Sequence, residues 1–273
     1  MPAAILRKLS RLAPPEVRRV AVGLLTDVRS LPARIVDPDR RGEPWSVIHD
    51  VGDGDYRHVG RQIARWLVRF GGLRAESSVL DIGCGTGRVA EHVTKVLGPQ
   101  GRYLGFDVSE KAIRFCQARF AGDPRFQFHS IDVQNGFYNR AGGIPEDQVR
   151  FPADDASVDI AFATSVFTHM RLASVETYIR EAARTLRPHG VLLFSAFTLE
   201  PGRERSPALP FQPFEPGSAV VNPRAPEQAI AHRREVLEDL VRGAGLRTDV
   251  LLRGEWHPPA AYDGGQDLWI AVK

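Results

Sequence analysis

The residues with the clearest chemistry run Ser78-Val79-Leu80-Asp81-Ile82-Gly83-Cys84-Gly85-Thr86-Gly87-Arg88. An apolar β-type segment ends at an acidic residue, passes through glycine at every second position and enters a helical pattern. Glycines there let the backbone approach a ligand where a side chain would collide, and the helix start supplies free N–H groups. The spacing differs from the G-x-G-x-x-G of nicotinamide and flavin sites. The third glycine comes one residue early, and Arg88 stands where that pattern has Gly. The phosphate-gripping G-x-x-x-x-G-K-[ST] is absent as well. Past Gly87, the segment Tyr103-Leu104-Gly105-Phe106 ends in Asp107, a carboxylate placed to accept both hydroxyls of a ribose. The segment Phe126 to Ile131 ends in Asp132, placed to accept from an adenine amino group, and a fourth ends at Thr164-Ser165. Open α/β sheets bind ligands at such strand ends. The bland alternative is that Asp81, Asp107 and Asp132 cap the helices after them.

The elements that must position these groups alternate from Ser77 onward between β-type and helical patterns, the signature of an α/β fold with a parallel sheet. Strands are expected at Ser78–Ile82, Arg102–Phe106, Phe126–Ile131, Asp159–Thr164 and Val191–Phe197, with helices at Arg88–Leu97, Glu110–Phe120 and Ser174–Leu186. A helix around Glu227–Ala244 and strands Arg247–Leu252 and Asp267–Val272 follow. Three segments depart from the alternation. Residues 1–60 read as a helical cap ahead of a domain spanning 61–273. Val17, Val20, Ala21, Leu24 and Val28 share one helix face there, Arg18, Arg19 and Arg29 lie off it, and Pro14-Pro15 suits a helix start. Residues 134–152 form a Gly-rich polar insertion. Residues 199–227 hold seven prolines and read as an irregular loop, neither a regular helix nor a central strand.

VLDIGCGTG, the spaced Asp107 and Asp132, FPADDASVDIAFATSVFTHM and YIREAARTLRPHGVLLFSAF together resemble class I S-adenosylmethionine-dependent methyltransferases, over roughly residues 52–273. The resemblance implies a Rossmann-like sheet of seven strands whose last strand runs antiparallel, and S-adenosylmethionine as cofactor. It sets Gly83, Gly85 and Gly87 beside the methionine part of the cofactor and Asp81 near its ammonium group. Asp107 with Val108 would hold the ribose, Asp132 with Val133 the adenine, and Thr164 with Ser165 the methionine end. Arg187-Pro188-His189-Gly190 departs from the Gly-Gly that commonly follows Pro in relatives, so a positive φ at His189 would carry strain that His tolerates.

A sulfonium is already an activated leaving group, so such a protein has to align a nucleophile in line with the methyl and, where needed, deprotonate it. For a hydroxyl acceptor a histidine is a suitable base. His169, in Ser165-Val166-Phe167-Thr168-His169-Met170, is the catalytic candidate; its other reading is a residue that orders the loop or touches the cofactor. His257, in Glu255-Trp256-His257-Pro258-Pro259, is the second candidate, against plain surface exposure. Tyr138 and Asn139 are candidates for touching the acceptor, Phe211 and Phe214 for an apolar wall, and Tyr56 for closing over the cofactor. No metal is expected: H-E-x-x-H is absent, and Asp154-Asp155 reads as a solvated turn. Cys84 and Cys116 fit small-residue and helix-face roles. No Asn or Asp precedes Pro-Pro-Tyr, which speaks against a nucleic-acid amino methylase. The cap, insertion and proline-rich loop together favour a small or medium acceptor over a polymer. Asn135 to Asn139, SVFTHM and Gln266-Asp267 resemble bacterial enzymes that tailor sugars, glycolipids or natural products, which implies methylation of a hydroxyl on such a compound.

The chain has 273 residues, 43% hydrophobic and 25% charged, a globular composition with two cysteines, too few for a disulfide framework. No apolar run reaches the ~18 residues of a membrane span. Nor does a secretory signal follow Arg7 and Lys8, so a cytoplasmic location is expected. The net charge of +3 is unevenly spread. Residues 1–41 carry nine Arg or Lys against four Asp or Glu, and the rest 27 against 29. That distribution disfavours nucleic acid as a partner, which would want an extended basic surface. It leaves two readings for the basic tract, packing over the fold or resting on an anionic membrane. RNA or protein methylation and cofactor binding without catalysis are the competing functional classes. Only four basic residues are Lys, a skew that suggests a GC-rich, bacterial coding sequence.

Overall fold

β1 (Ser78–Ile82) is flanked in parallel by β2 (Arg102–Asp107) and β4 (Val158–Ala163), and β3 (Phe126–Ser130) pairs β2. β5 (Leu186–Leu199) pairs β4 in parallel. β10 (Asp267–Val272) runs antiparallel against both β5 and β9 (Arg247–Leu252). These seven strands, in the order β3-β2-β1-β4-β5-β10-β9, form the expected Rossmann-like sheet with its antiparallel last strand. The chain is described here from a computed structural model, covering all residues except 1–14, 38–39, 41, 47–54, 135–138, 140, 205 and 207–208, with only the backbone described for 15–23 and 25.

Alternation along the strands explains the layers, because successive strand residues face opposite sides of the sheet. Leu80, Ile82, Ala161, Leu192 and Phe194 bury one face against α5 (Leu172–Thr185) and α6 (Arg234–Gly243). Val79, Ile160, Phe162 and Leu193 bury the other against α2 (Tyr56–Arg69), α3 (Ala90–Val93) and α4 (Glu110–Arg119). Helices on both faces leave the strands' carboxyl ends as the open edge where a ligand can sit.

The sheet is larger than seven strands. β5 is 14 residues long, and its pairing with β4 stops at Phe194 and with β10 at Ala196. Its last residues, Phe197 to Leu199, would present unpaired backbone groups, a liability in a sheet edge. They pair instead with β8 (Ile230–Arg233), which continues antiparallel into β7 (Ser218–Val220) and β6 (Gln212–Glu215), making ten strands. Two expectations are corrected here. The proline-rich segment 199–227 contains a hairpin, with Pro213 confined to the outermost strand where a missing N–H is tolerated. The helix expected from Glu227 begins only at Arg234, because Ile230 to His232 are buried as a strand.

The N-terminal helix α1 spans Pro15–Val36 and starts at the proline, as expected. Among its described side chains the apolar stripe does not pack over the fold: Leu24 is 55% exposed, Val28 63% and Ile35 68%, while Val17, Val20 and Ala21 lie outside the described side chains. The buried ones among its described side chains are Asp27 and Arg34. Asp27 accepts from the Ser46 N–H at 2.6 Å, and Arg34 donates to the carbonyls of Glu43 and Pro44 at 2.7 and 2.9 Å. These charge-assisted bonds fasten the polar flank and leave the apolar one facing solvent.

Candidate active site

Gly83, Gly85 and Gly87 have φ of +74°, +52° and +75°, a left-handed series open to glycine at low cost. The turn folds back because the N–H groups of Gly83 and Cys84 both donate to the Phe106 carbonyl, at 2.9 and 3.0 Å. A methyl group on Gly83 would lie 2.6 Å from Val166 Cγ2, so the close approach is structural as well as conformational. Tyr56 braces the same turn. Its buried hydroxyl donates to the Thr86 carbonyl at 2.9 Å, and it lines neither the cleft nor the recess described below, so it supports the turn in place of closing over a ligand.

A cleft of about 810 Å³, counted to its open mouth, runs across these strand ends. Gly83, Asp107, Val108, Val133, Thr164, Ser165 and His169 all line it. Asp81, Gly85 and Arg88 line an adjoining recess that shares Gly83, Thr86 and Thr164 with the cleft.

Asp107 accepts the Gly85 N–H on Oδ2 and the Ser109 N–H on Oδ1, both at 2.8 Å. Each oxygen keeps acceptor capacity for a diol. Asp81 is buried and accepts from the Tyr103 hydroxyl. Burial, reinforced by nearby Asp107 and opposed by the Tyr103 hydrogen bond and Arg88, pushes its carboxyl up to about 7. A cation in the recess would restore its charge.

Asp132 is placed differently. It is exposed, lies outside the cleft lining, and accepts from Asn139 Nδ2 at 3.1 Å and the Gly143 N–H at 3.0 Å. It ties down the insertion, whose Ile144 bridges to Val133. Ile131 and Val133 supply the apolar lining beside it, and Glu146 from the insertion closes that side. Asn139 thus belongs to the wall of the insertion, and Tyr138 lies outside the described residues.

At the opposite end, His169 is half-buried and its Nδ1 meets the Glu227 carbonyl at 2.7 Å. A carbonyl only accepts, so Nδ1 carries the proton and Nε2 keeps its lone pair. Burial holds this imidazole below its ordinary pKa. His232, a residue the sequence reading passed over, fixes the chain next to it. Ser218 Oγ donates to its Nδ1 at 2.8 Å, and its Nε2–H donates to the Met170 carbonyl at 3.1 Å. Burial drives the His232 pKa down to about 4, so it stays neutral.

Ser165 sits at φ +57°, an uncommon conformation for a non-glycine residue, and two hydrogen bonds hold it, their partners joined by a third. Its N–H donates to Ser195 Oγ at 2.8 Å, Ser195 donates to Gln266 Oε1 at 2.6 Å, and Gln266 Nε2 donates back to Ser165 Oγ at 3.1 Å.

His257 is elsewhere: it lies outside the cleft lining, its ring against Trp256 and its Nδ1 turned to the Pro258 carbonyl. Phe211 is buried with Phe197 and Trp256, and Phe214 carries Arg171 over its ring at 5.1 Å. Neither lines the cleft. Among the described residues, no cluster of three or more His, Cys, Asp or Glu could hold a metal ion.

Residues 80–194 match the family model described as a methyltransferase domain. The chain is 26% identical to the ubiquinone/menaquinone biosynthesis C-methyltransferase UbiE of Pseudomonas putida over 157 residues, 56% of this chain and 54% of that one. It is 32% identical to the 27-O-demethylrifamycin SV methyltransferase of Amycolatopsis mediterranei over 163 residues, 60% of this chain and 54% of that one. The chain thus spans about half the length of these curated relatives. A solved S-adenosylmethionine-dependent methyltransferase from Methanosarcina mazei superposes with a TM-score of 0.51 at 19% identity, covering 76% of this chain and 96% of that one. The fold is that of the solved S-adenosylmethionine-dependent methyltransferases, and residues 80–194 match a methyltransferase domain. The residues present suit S-adenosylmethionine: a carboxylate for the diol, an apolar wall for the base, and a carboxyl at Asp81 that a cation would ionise.

Proposed function

We propose that the chain is an S-adenosylmethionine-dependent methyltransferase acting on a hydroxyl of a small or medium acceptor such as a sugar, glycolipid or other natural product. The cofactor supplies a methyl on a sulfonium leaving group. The chain's residues do the rest. Asp107 and the glycine turn hold one end of the cofactor, and Asp81 takes its cationic end. Thr164 and Ser165 set the depth of the reacting end, and His169 takes the proton of the acceptor hydroxyl on Nε2.

The observation that carries this reading is the histidine itself. His169 lines the cleft with its Nδ1 proton committed to the Glu227 carbonyl, which leaves Nε2 as the basic atom. A base whose pKa is lowered by burial is already neutral at pH 7 and ready to accept. The lining beside His169, with Val166 and Met170, is apolar, which suits a compact organic acceptor better than a polymer. The similarity to a protein named for 27-O-demethylrifamycin SV points the same way.

Small-molecule extracts incubated with the protein and a deuterated-methyl cofactor test the reading by mass spectrometry. A product carrying the label on oxygen, absent with His169→Ala, is expected. A label on carbon or nitrogen, or on RNA or protein, would overturn it.

A further inference from the structure

Nine large apolar side chains are exposed among the described residues, and five of them (Leu24, Val28, Leu31, Ile35 and Val36) lie on α1. A sixth, Trp45, lies beside it with Arg34 over its ring at 4.1 Å. Leu24, Val28, Leu31 and Ile35 recur every three or four positions and so form one stripe about 16 Å long. The helix is held with that stripe outward. Asp27 and Arg34 bind the following segment, and that segment is fixed to α2 by the Arg57–Glu43 ion pair at 2.8 Å.

Charge identifies what covers the stripe. Residues 1–41 carry nine Arg or Lys against four Asp or Glu, in a chain whose remainder holds 27 against 29. A second copy of the chain would bring the same positive tract against itself, a repulsive pairing. An anionic lipid surface complements both the charge and the apolar stripe, and a tryptophan at the edge of an interfacial helix sits naturally at headgroup depth. None of the described helices is long and apolar enough to cross a membrane.

We propose that α1, with Trp45, is an interfacial helix that docks this chain on an anionic bilayer. It lies in the plane of the headgroups with Leu24, Val28, Leu31 and Ile35 in the acyl boundary. The inference is independent of the acceptor and of the base.

The test is co-sedimentation of the full chain with vesicles of phosphatidylcholine alone and of an equimolar mixture with phosphatidylglycerol. Binding to the anionic vesicles is expected to be at least about tenfold tighter than to the neutral ones, and to weaken with salt. The double variant Leu24→Glu, Val28→Glu should lower it by about tenfold or more, since two apolar side chains no longer enter the bilayer. Its thermal midpoint and its affinity for S-adenosylmethionine should stay unchanged, because both side chains are exposed and outside the cleft. No binding to anionic vesicles, or equal binding by the double variant, would overturn the proposal. So would a dimer in sedimentation velocity that the double variant converts to monomer, which would assign the stripe to a second copy.

Discussion

At the Asp107 end of the cleft, most of the groups that face a ligand come from one span, Asp81 to Val133, and are held by bonds between neighbouring strands and turns, with Glu146 and Thr164 added from beyond it. At the His169 end they come from distant parts of the chain. His169 is oriented by the carbonyl of Glu227, Met170 by His232, and Ser165 by Ser195 and Gln266. The first end depends on turn geometry that glycine makes possible. The second depends on the extra strands β6 to β8, whose connection places Glu227 against the histidine. An end encoded locally is fixed by its own turns, whereas an end assembled from remote segments can change without disturbing it.

Removing the base proposed above separates the two ends most strongly. His169→Ala should lower turnover by about 10²- to 10⁴-fold while the cofactor Kd measured by calorimetry stays put. A rate near that of the unaltered protein would remove His169 from the chemistry. In the unaltered protein the rate should fall on the acid side of the ordinary imidazole pKa, because burial lowers this one and the protonated ring cannot accept.

Asp107→Ala acts on the other end. Loss of charge-assisted bonds to the ribose hydroxyls, together with the Gly85 and Ser109 contacts, should weaken S-adenosylmethionine by about 100-fold. Unchanged affinity would sink the cofactor assignment.

A gentler probe is pH. The Asp81 carboxyl sits at about 7, and a cationic group beside it favours the ionised form. Cofactor binding below pH 7 therefore releases a proton, and affinity should rise by up to about tenfold per pH unit until it levels above 7. Asp81→Asn should flatten that slope. The same raised pKa acts with opposite sense on the ligand-free protein. Its stabilising share is complete below the unfolded carboxylate value and is lost as pH rises through about 7. Thermal midpoints across that range check the sign.

The smallest effect lies away from both ends. His189 sits at φ +66°, as the Arg-Pro-His-Gly turn led one to expect, with its N–H on the Lys273 carbonyl at 2.9 Å. His189→Gly should raise stability by about 0.5–1 kcal/mol, since the left-handed strain outweighs the added chain entropy. Denaturant unfolding would show it, with cofactor affinity and turnover unmoved.

The glycine turn, Asp81, Asp107, Val133 and the strand ends were legible because each obeys a local pattern: a period of two, a glycine spacing, an acid after an apolar run. Three strands match their expected bounds residue for residue, Ser78–Ile82, Arg247–Leu252 and Asp267–Val272, and the strand from Arg102 runs one residue further, to Asp107. Asp132 shows the limit of this logic. Its position after β3 is right for a ligand, yet its side chain is turned to Asn139 and Gly143. Sequence spacing sets where a backbone emerges and leaves the rotamer to whatever lies nearby. His257 and the two phenylalanines of the proline-rich segment are turned from the cleft for the same reason: His257 and Phe211 find partners in a satellite cluster around Trp256, and Phe214 packs under Arg171.

The amino-acid sequence by itself determined the alternation of strand and helix, the glycine conformations and the carboxylates at the strand ends, because these follow from periodicity and steric permission within a few residues. Only the tertiary structure decided which way α1 faces, which atom of His169 stays basic, and that β5 outruns its neighbours and recruits three more strands. Each of those depends on a hydrogen-bond partner tens of residues away or on an edge left unpaired, and no local pattern records where such a partner will fall.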